Sequence, residues 1–155
     1  MVMRIWVMRH GQAETAVVSG DAGRGLTEHG RIEAQQRAHE LSDLWQQATL
    51  ISSPYRRAVE TAAEVAEVVG GKILETWPEL APEGDPLHVL RRLQSCDHSW
   101  LVLVTHMPLL SRLAGLFKDG QASSHYPLPT AGVHGFDFAE GGVAAGMAER
   151  WRTWG

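Results

Sequence analysis

Two apolar runs end abruptly on groups that bury badly. In MVMRIWVMRHGQAE the run from Met3 to Met8 stops at Arg9-His10-Gly11, and in WLVLVTHMP the run from Trp100 to Thr105 stops at His106. A fourth group, Arg56 in SSPYRRAVETA, falls where a segment of helical apolar spacing begins. Two guanidiniums and two imidazoles suit a dianionic phosphoryl group, because guanidinium forks match phosphate oxygens with paired hydrogen bonds. A neutral imidazole is a nucleophile toward phosphorus near neutral pH, and nearby arginines disfavour its protonation. The same arginines would stabilise charge on the equatorial oxygens of the transition state. The cations are built in, so this chemistry calls for no metal and no cofactor.

These residues need elements that deliver them to one place. Met3 to Met8 reads as a strand covered on both faces, and Trp100 to Thr105 as the strongest buried strand in the chain. Thr27 is a predicted N-cap for a helix from Glu28 to Gln46, with Ile32, Leu41, Leu44 and Trp45 on its apolar face. Thr49 to Ser52 is a short strand. Pro54 then opens a helix whose stripe is Ala58, Ala62, Val65, Ala66 and Val69, and Gly70-Gly71 ends it. Lys72 to Trp77 is a further strand, Pro86 starts a helix with Leu87, Leu90 and Leu93, and Pro108 starts one running to Phe117. The stretch from Lys118 to Thr130 is predicted irregular. Val133 to Phe138, a Gly141-Gly142 turn and Val143 to Trp151 form a closing hairpin.

Strands alternating with helices predict an α/β fold: a three-layer sandwich with a mostly parallel central sheet, helices on both faces and a C-terminal β-hairpin. The 155 residues suit a single domain, 1–155. In open α/β sheets ligands bind beyond the carboxyl ends of the strands, where Arg9, His10 and His106 are expected. A net charge of −4 gives no reason to expect nucleic acid or an anionic membrane as partner. The one cysteine, Cys96, excludes an intramolecular disulfide, and no apolar run approaches a membrane span. A cytoplasmic location is expected.

Taken singly, each candidate has a plain alternative. Arg9 could pair with a surface acid, His106 could be a hydrogen-bonded structural histidine, and Arg56 a solvated helix residue, as adjacent Arg57 is expected to be. Their joint placement at strand ends and a helix start outweighs those readings. Gly11 is expected to let the backbone approach a phosphate closely. His29, His39, His88 and His98 read as solvated or interfacial, and His125 as a loop residue.

The motifs MRHGQAE, LTEHG, SSPYRRAVETA, PELAPEGD, LVLVTHMPLL and PTAGVHGFDF run in the order seen in the histidine phosphatase superfamily. The chain resembles its small phosphohistidine phosphatases of the SixA type, with the RHG motif at 9–11. The resemblance implies a two-step reaction: His10 attacks phosphorus, and water then hydrolyses the phosphohistidine enzyme. Arg9, Arg56 and His106 would hold the phosphoryl oxygens throughout, with Gly11 beside them in substrate binding. It also implies a phosphohistidine-bearing protein domain as substrate, with a small-metabolite phosphomonoesterase as the alternative, and a phosphate-binding module without catalysis as a third reading. An ester hydrolase needs a carboxylic acid for the leaving oxygen. Glu79, ahead of Glu83 and Asp85, is the candidate, and its plain alternative is a loop carboxylate that orients an arginine. Expelling imidazole needs less acid help than expelling an alkoxide.

Overall fold

The apolar runs form the middle of one six-stranded sheet. The computed structural model describes residues 2–15, 18–71, 73–139 and 142–155. Its strands are β1 (Met3–Arg9), β2 (Thr49–Ser52), β3 (Ile73–Thr76), β4 (Trp100–Thr105), β5 (Val133–Phe138) and β6 (Ala148–Trp154), in the spatial order β3-β2-β4-β1-β5-β6. The first four in that order are parallel, and β5 and β6 close the sheet antiparallel. This is the α/β sandwich expected, with its mostly parallel sheet and terminal hairpin.

Alternation along the strands divides the core in two. Ile5 and Val7 of β1 with Leu101 and Leu103 of β4 face one side, while Trp6, Met8, Val102 and Val104 face the other. Helices α1 (Glu28–Trp45) and α2 (Arg56–Val69) cover the second side; α3 (Pro86–Ser95) and α4 (Leu109–Asp119) cover the first. Full burial of each such aliphatic side chain is worth roughly 1.5–3 kcal/mol, so the two central strands are the most firmly held parts of the sheet.

Local signals mark the starts of α1 and α3 and the ends of α2 and α4. The Thr27 hydroxyl accepts from Gly30 N–H at 3.0 Å and caps α1, and the Asp85 carboxylate accepts from Leu87 N–H at 2.9 Å and caps α3. Gly70 and Gly120 take the left-handed conformation that ends α2 and α4.

Three expectations shift. The buried face of α1 is Gly30, Ala34, Ala38, Leu41 and Trp45, and Ile32 is exposed: small residues let α1 lie close to α2 and to the β1 end. Helix α2 begins at Arg56, with Pro54 still outside it. The last strand begins at Ala148 and runs to Trp154, because its register pairs Trp154 with Val133 and Ala148 with Phe138. Lys72 and Gly141, placed in a strand and a turn from sequence, lie outside the described residues.

The irregular stretch 121–132 packs on α4. Ser111 Oγ donates to the Ser123 carbonyl at 3.1 Å and accepts from Tyr126 N–H at 2.9 Å. A Cβ on Gly115 would strike the Gln121 carbonyl at 2.7 Å, so α4 needs glycine there for this segment to settle. No helix among the described residues is long and apolar enough to cross a membrane.

Candidate active site

Because β1 and β4 are parallel neighbours with Arg9 opposite Thr105, the residues that follow them emerge at the same sheet edge. Those residues are His10 and His106, and their ring centroids are 5.1 Å apart at an interplanar angle of 56°. The His10 backbone is clamped on both sides: its N–H donates to the Thr105 carbonyl at 3.1 Å, and its carbonyl accepts from Ala131 N–H at 3.1 Å.

The His10 tautomer follows from its bonds. Nδ1 lies 2.7 Å from the Gly11 carbonyl, which can only accept, so Nδ1 carries the proton and Nε2 the lone pair. Arg57 donates its Nε–H to that Nε2 at 3.3 Å. Burial pushes the His10 pKa down to about 4; the Gly11 bond opposes this, and the charges of Arg57, Arg9 and Arg24 add to it. Burial, with His10 and Arg57 behind it, pushes His106 down to about 3. Both rings are neutral at physiological pH.

The arginine beside His10 is Arg57, and the expectation of Arg56 is corrected. Arg57, Thr61, Val65 and Val69 recur at intervals of four on the buried side of α2, with Ala58 and Ala62 beside them. Arg57 thus heads the stripe and is only 5% exposed. Arg56 lies one position around the helix, on the solvent side, where it pairs with Glu60 at 3.1 Å. The signal was in the sequence: Arg57 stands four residues before Thr61 and eight before Val65.

Arg57 is held in turn by Asp21, on the short 3-10 turn Asp21–Gly23. Its Nη1 donates to the Asp21 carbonyl at 2.8 Å and its Nη2 to the Asp21 carboxylate at 3.2 Å. Arg24 donates to the same carboxylate at 2.8 Å. The Asp21 pKa is lowered, chiefly by its hydrogen bond from Arg24 and then by Arg57, which outweigh the partial burial.

Arg9 donates from Nη1 to the Leu128 carbonyl at 2.8 Å, so the irregular segment on α4 orients it. Within the site, two buried side-chain nitrogens have no hydrogen-bond partner among the described residues, Arg9 Nε and His106 Nδ1; the third such atom, Trp45 Nε1, lies away in the core under α1. Nε2 of His106 meets the Ser53 hydroxyl at 2.7 Å.

Gly11 has a packing role beside the one expected. Its N–H donates to Thr61 Oγ1 at 3.0 Å and is therefore engaged within the protein, while Thr61 Oγ1 donates to the Arg57 carbonyl at 2.7 Å. A Cβ on Gly11 would collide with the Gly30 carbonyl, and one on Gly30 with the Gln12 carbonyl. The glycine pair lets the start of α1 press against the turn after β1. Thr61, Ser53 and Asp21 were not singled out from sequence.

Glu79 accepts from Arg92 at 2.9 Å through both carboxylate oxygens. Partial burial would raise its pKa, but the Arg92 bond and charge outweigh it and hold the carboxyl below its ordinary value. Among the described residues no hydrogen bond or ion pair joins Glu79 to His10, Arg57 or His106. His125 is exposed on its loop. No group of three or more His, Cys, Asp or Glu among the described residues is arranged to hold a metal ion.

The family model of the histidine phosphatase superfamily, branch 1, matches residues 5–82, a span that carries Arg9, His10 and Arg57. The chain belongs to that superfamily. The chain is 29% identical over 142 residues to a phosphohistidine phosphatase SixA homolog of Haemophilus influenzae, covering 83% of this chain and 86% of the relative. Its fold is similar to that of the protein histidine phosphatase SixA complexed with tungstate, with a TM-score of 0.84, 24% identity and 97% of each chain covered. A mycobacterial glucosyl-3-phosphoglycerate phosphatase shares the fold at a TM-score of 0.70 and 19% identity, over 99% of this chain and 97% of the other.

Proposed function

We propose that the protein removes phosphate from a phosphorylated histidine on a protein, through a phosphohistidine enzyme formed on His10. The observation that carries the reading is the unprotonated Nε2 of a neutral, buried His10, close to Arg57 and His106 and in the field of Arg9. In the first step the Nε2 lone pair attacks phosphorus. The new N–P bond forms as the bond from phosphorus to the substrate's imidazole breaks, and that ring, protonated on its other nitrogen, leaves neutral. In the second step water attacks the phosphoenzyme. Inorganic phosphate departs, and the N–P electrons return to Nε2.

Each neighbour has a part in this scheme. Arg57, already donating toward Nε2, turns to the incoming phosphoryl oxygens. Arg9 Nε and His106 Nδ1, which lack partners among the described residues, are satisfied by the same oxygens. Arg9 and His106 are held by Leu128 and Ser53 before substrate arrives, so they need little reorganisation as charge develops in the transition state. No step needs a carboxylic acid. That matches a Glu79 tied to Arg92 and favours the phosphohistidine substrate over a small phosphoester, whose alkoxide does need one.

The test is phosphate release from a panel of phosphohistidine proteins and small phosphoesters by the wild type and His10→Ala. The reading expects release from the proteins that is lost in the variant. Preferential hydrolysis of esters would overturn the substrate assignment.

A further inference from the structure

His106 is the one member of the cluster whose useful tautomer is not set by a backbone carbonyl. A neutral imidazole offers one donor and one acceptor, and here only a donor can serve a phosphoryl oxygen. Its Nε2 faces Ser53 Oγ at 2.7 Å, and its Nδ1 is buried and without a partner among the described residues.

Ser53 is fully buried, and its hydroxyl has a second contact that decides the matter. Tyr55 N–H donates to the same Oγ at 3.2 Å, so one lone pair of that oxygen is taken. Suppose Nε2–H also donated to Oγ. The serine's own hydrogen would then be buried with no acceptor among its hydrogen-bond neighbours, at a cost of about 1–3 kcal/mol. If instead Ser53 donates to Nε2, the amide, the hydroxyl and the ring nitrogen are all paired. The proton of His106 is then on Nδ1, the nitrogen left open.

We infer that Ser53 is a positioning residue: its hydroxyl donates to Nε2 of His106 and thereby fixes the Nδ1–H tautomer, which supplies a hydrogen-bond donor to the phosphoryl group. The assignment rests on the phosphatase reading above for its use, and on the hydrogen-bond geometry alone for the tautomer. Secondary structure holds Ser53 for this task. Its N–H donates to the Val104 carbonyl at 2.9 Å, which ties the end of β2 to the end of β4, the strand that delivers His106. The Tyr55 ring packs edge-on against His106 with centroids 5.1 Å apart and limits rotation of the imidazole.

The tautomer can be read directly by long-range proton–nitrogen correlation NMR of 15N-labelled protein at pH 7, with His106 assigned by its loss in His106→Asn. The expected spectrum has a protonated Nδ1 and a bare Nε2. A protonated Nε2 in the wild type overturns the proposal, and this outcome needs no variant of Ser53 to fold. Ser53→Ala should move His106 toward the Nε2–H tautomer, weaken binding of inorganic phosphate about tenfold, and lower kcat/KM on the order of 10²-fold. An unchanged tautomer or unchanged phosphate affinity in a folded Ser53→Ala would also overturn it. Should the wild type release phosphate from no substrate, the phosphatase reading fails, while the tautomer and phosphate titration still decide the role of Ser53.

Discussion

Arg57 donates its Nε–H to Nε2 of His10 across 3.3 Å, while Arg56, its neighbour in sequence, faces solvent and pairs with Glu60. A helix places consecutive residues 100° apart, so only one of two adjacent arginines can head the buried stripe.

Exchanging the two arginines therefore gives unequal results. Arg57→Ala should lower kcat/KM by about 10²–10³-fold, the usual cost of one donor to developing charge. Arg56→Ala removes an exposed pair worth roughly 0.3–0.5 kcal/mol and should leave turnover near the wild-type value. Steady-state phosphate release from one phosphohistidine protein checks both. Equal losses would contradict the placement.

The depressed histidines make stability pH-dependent with a definite sign. His10 is pushed down to about 4 and His106 to about 3, against about 6.5 in the unfolded chain. Below 6.5 the unfolded state binds more protons than the folded one, so stability is full above that pH. It declines as pH falls through 6.5 toward 4 and then 3. Burial lowers His134 as well, against its backbone bond to Tyr126, and adds to the same trend. Urea midpoints from pH 4 to 7 should fall with acidity less steeply in His10→Asn than in the wild type. Parallel slopes would contradict the shift.

Gly11→Ala tests the packing at the turn after β1. The added Cβ meets backbone, the Gly30 carbonyl, which cannot swing aside as a side chain can. A loss of about 2 kcal/mol or more is expected, read from the urea midpoint at unchanged m-value. A neutral substitution would show that α1 can retreat without cost.

Glu79→Gln separates the two substrate classes. With the carboxylate engaged by Arg92, hydrolysis of phosphohistidine should stay within about threefold of wild type, below the 10²–10⁴ of a general acid. A hundredfold loss would give Glu79 a part in proton transfer.

The fold was legible because its central strands are apolar on both faces and its first helix starts at a capping residue, Thr27. The last strand was misplaced, since register with β5, and not hydrophobicity, sets where Ala148–Trp154 pairs. Within the site, Arg9, His10 and His106 stood out as polar groups ending apolar runs. Arg57 did not, because arginine's charge predicts a solvent-facing position even though this one continues the Ala58–Ala62 stripe by one position. Gly11 also makes room for Gly30, whose approach only the tertiary contact reveals. The Leu128 carbonyl and Asp21 come from irregular loops, where no periodicity announces which atom will face Arg9 or Arg57.

The central claim is that His10 carries the phosphoryl group. Rapid quenching of the wild type with a phosphohistidine protein, followed by mapping of acid-labile phosphate, tests it most directly. The account predicts phosphate trapped on His10 and turnover reduced at least about a thousandfold in His10→Ala. Wild-type turnover by His10→Ala, or phosphate trapped on another residue, would contradict it.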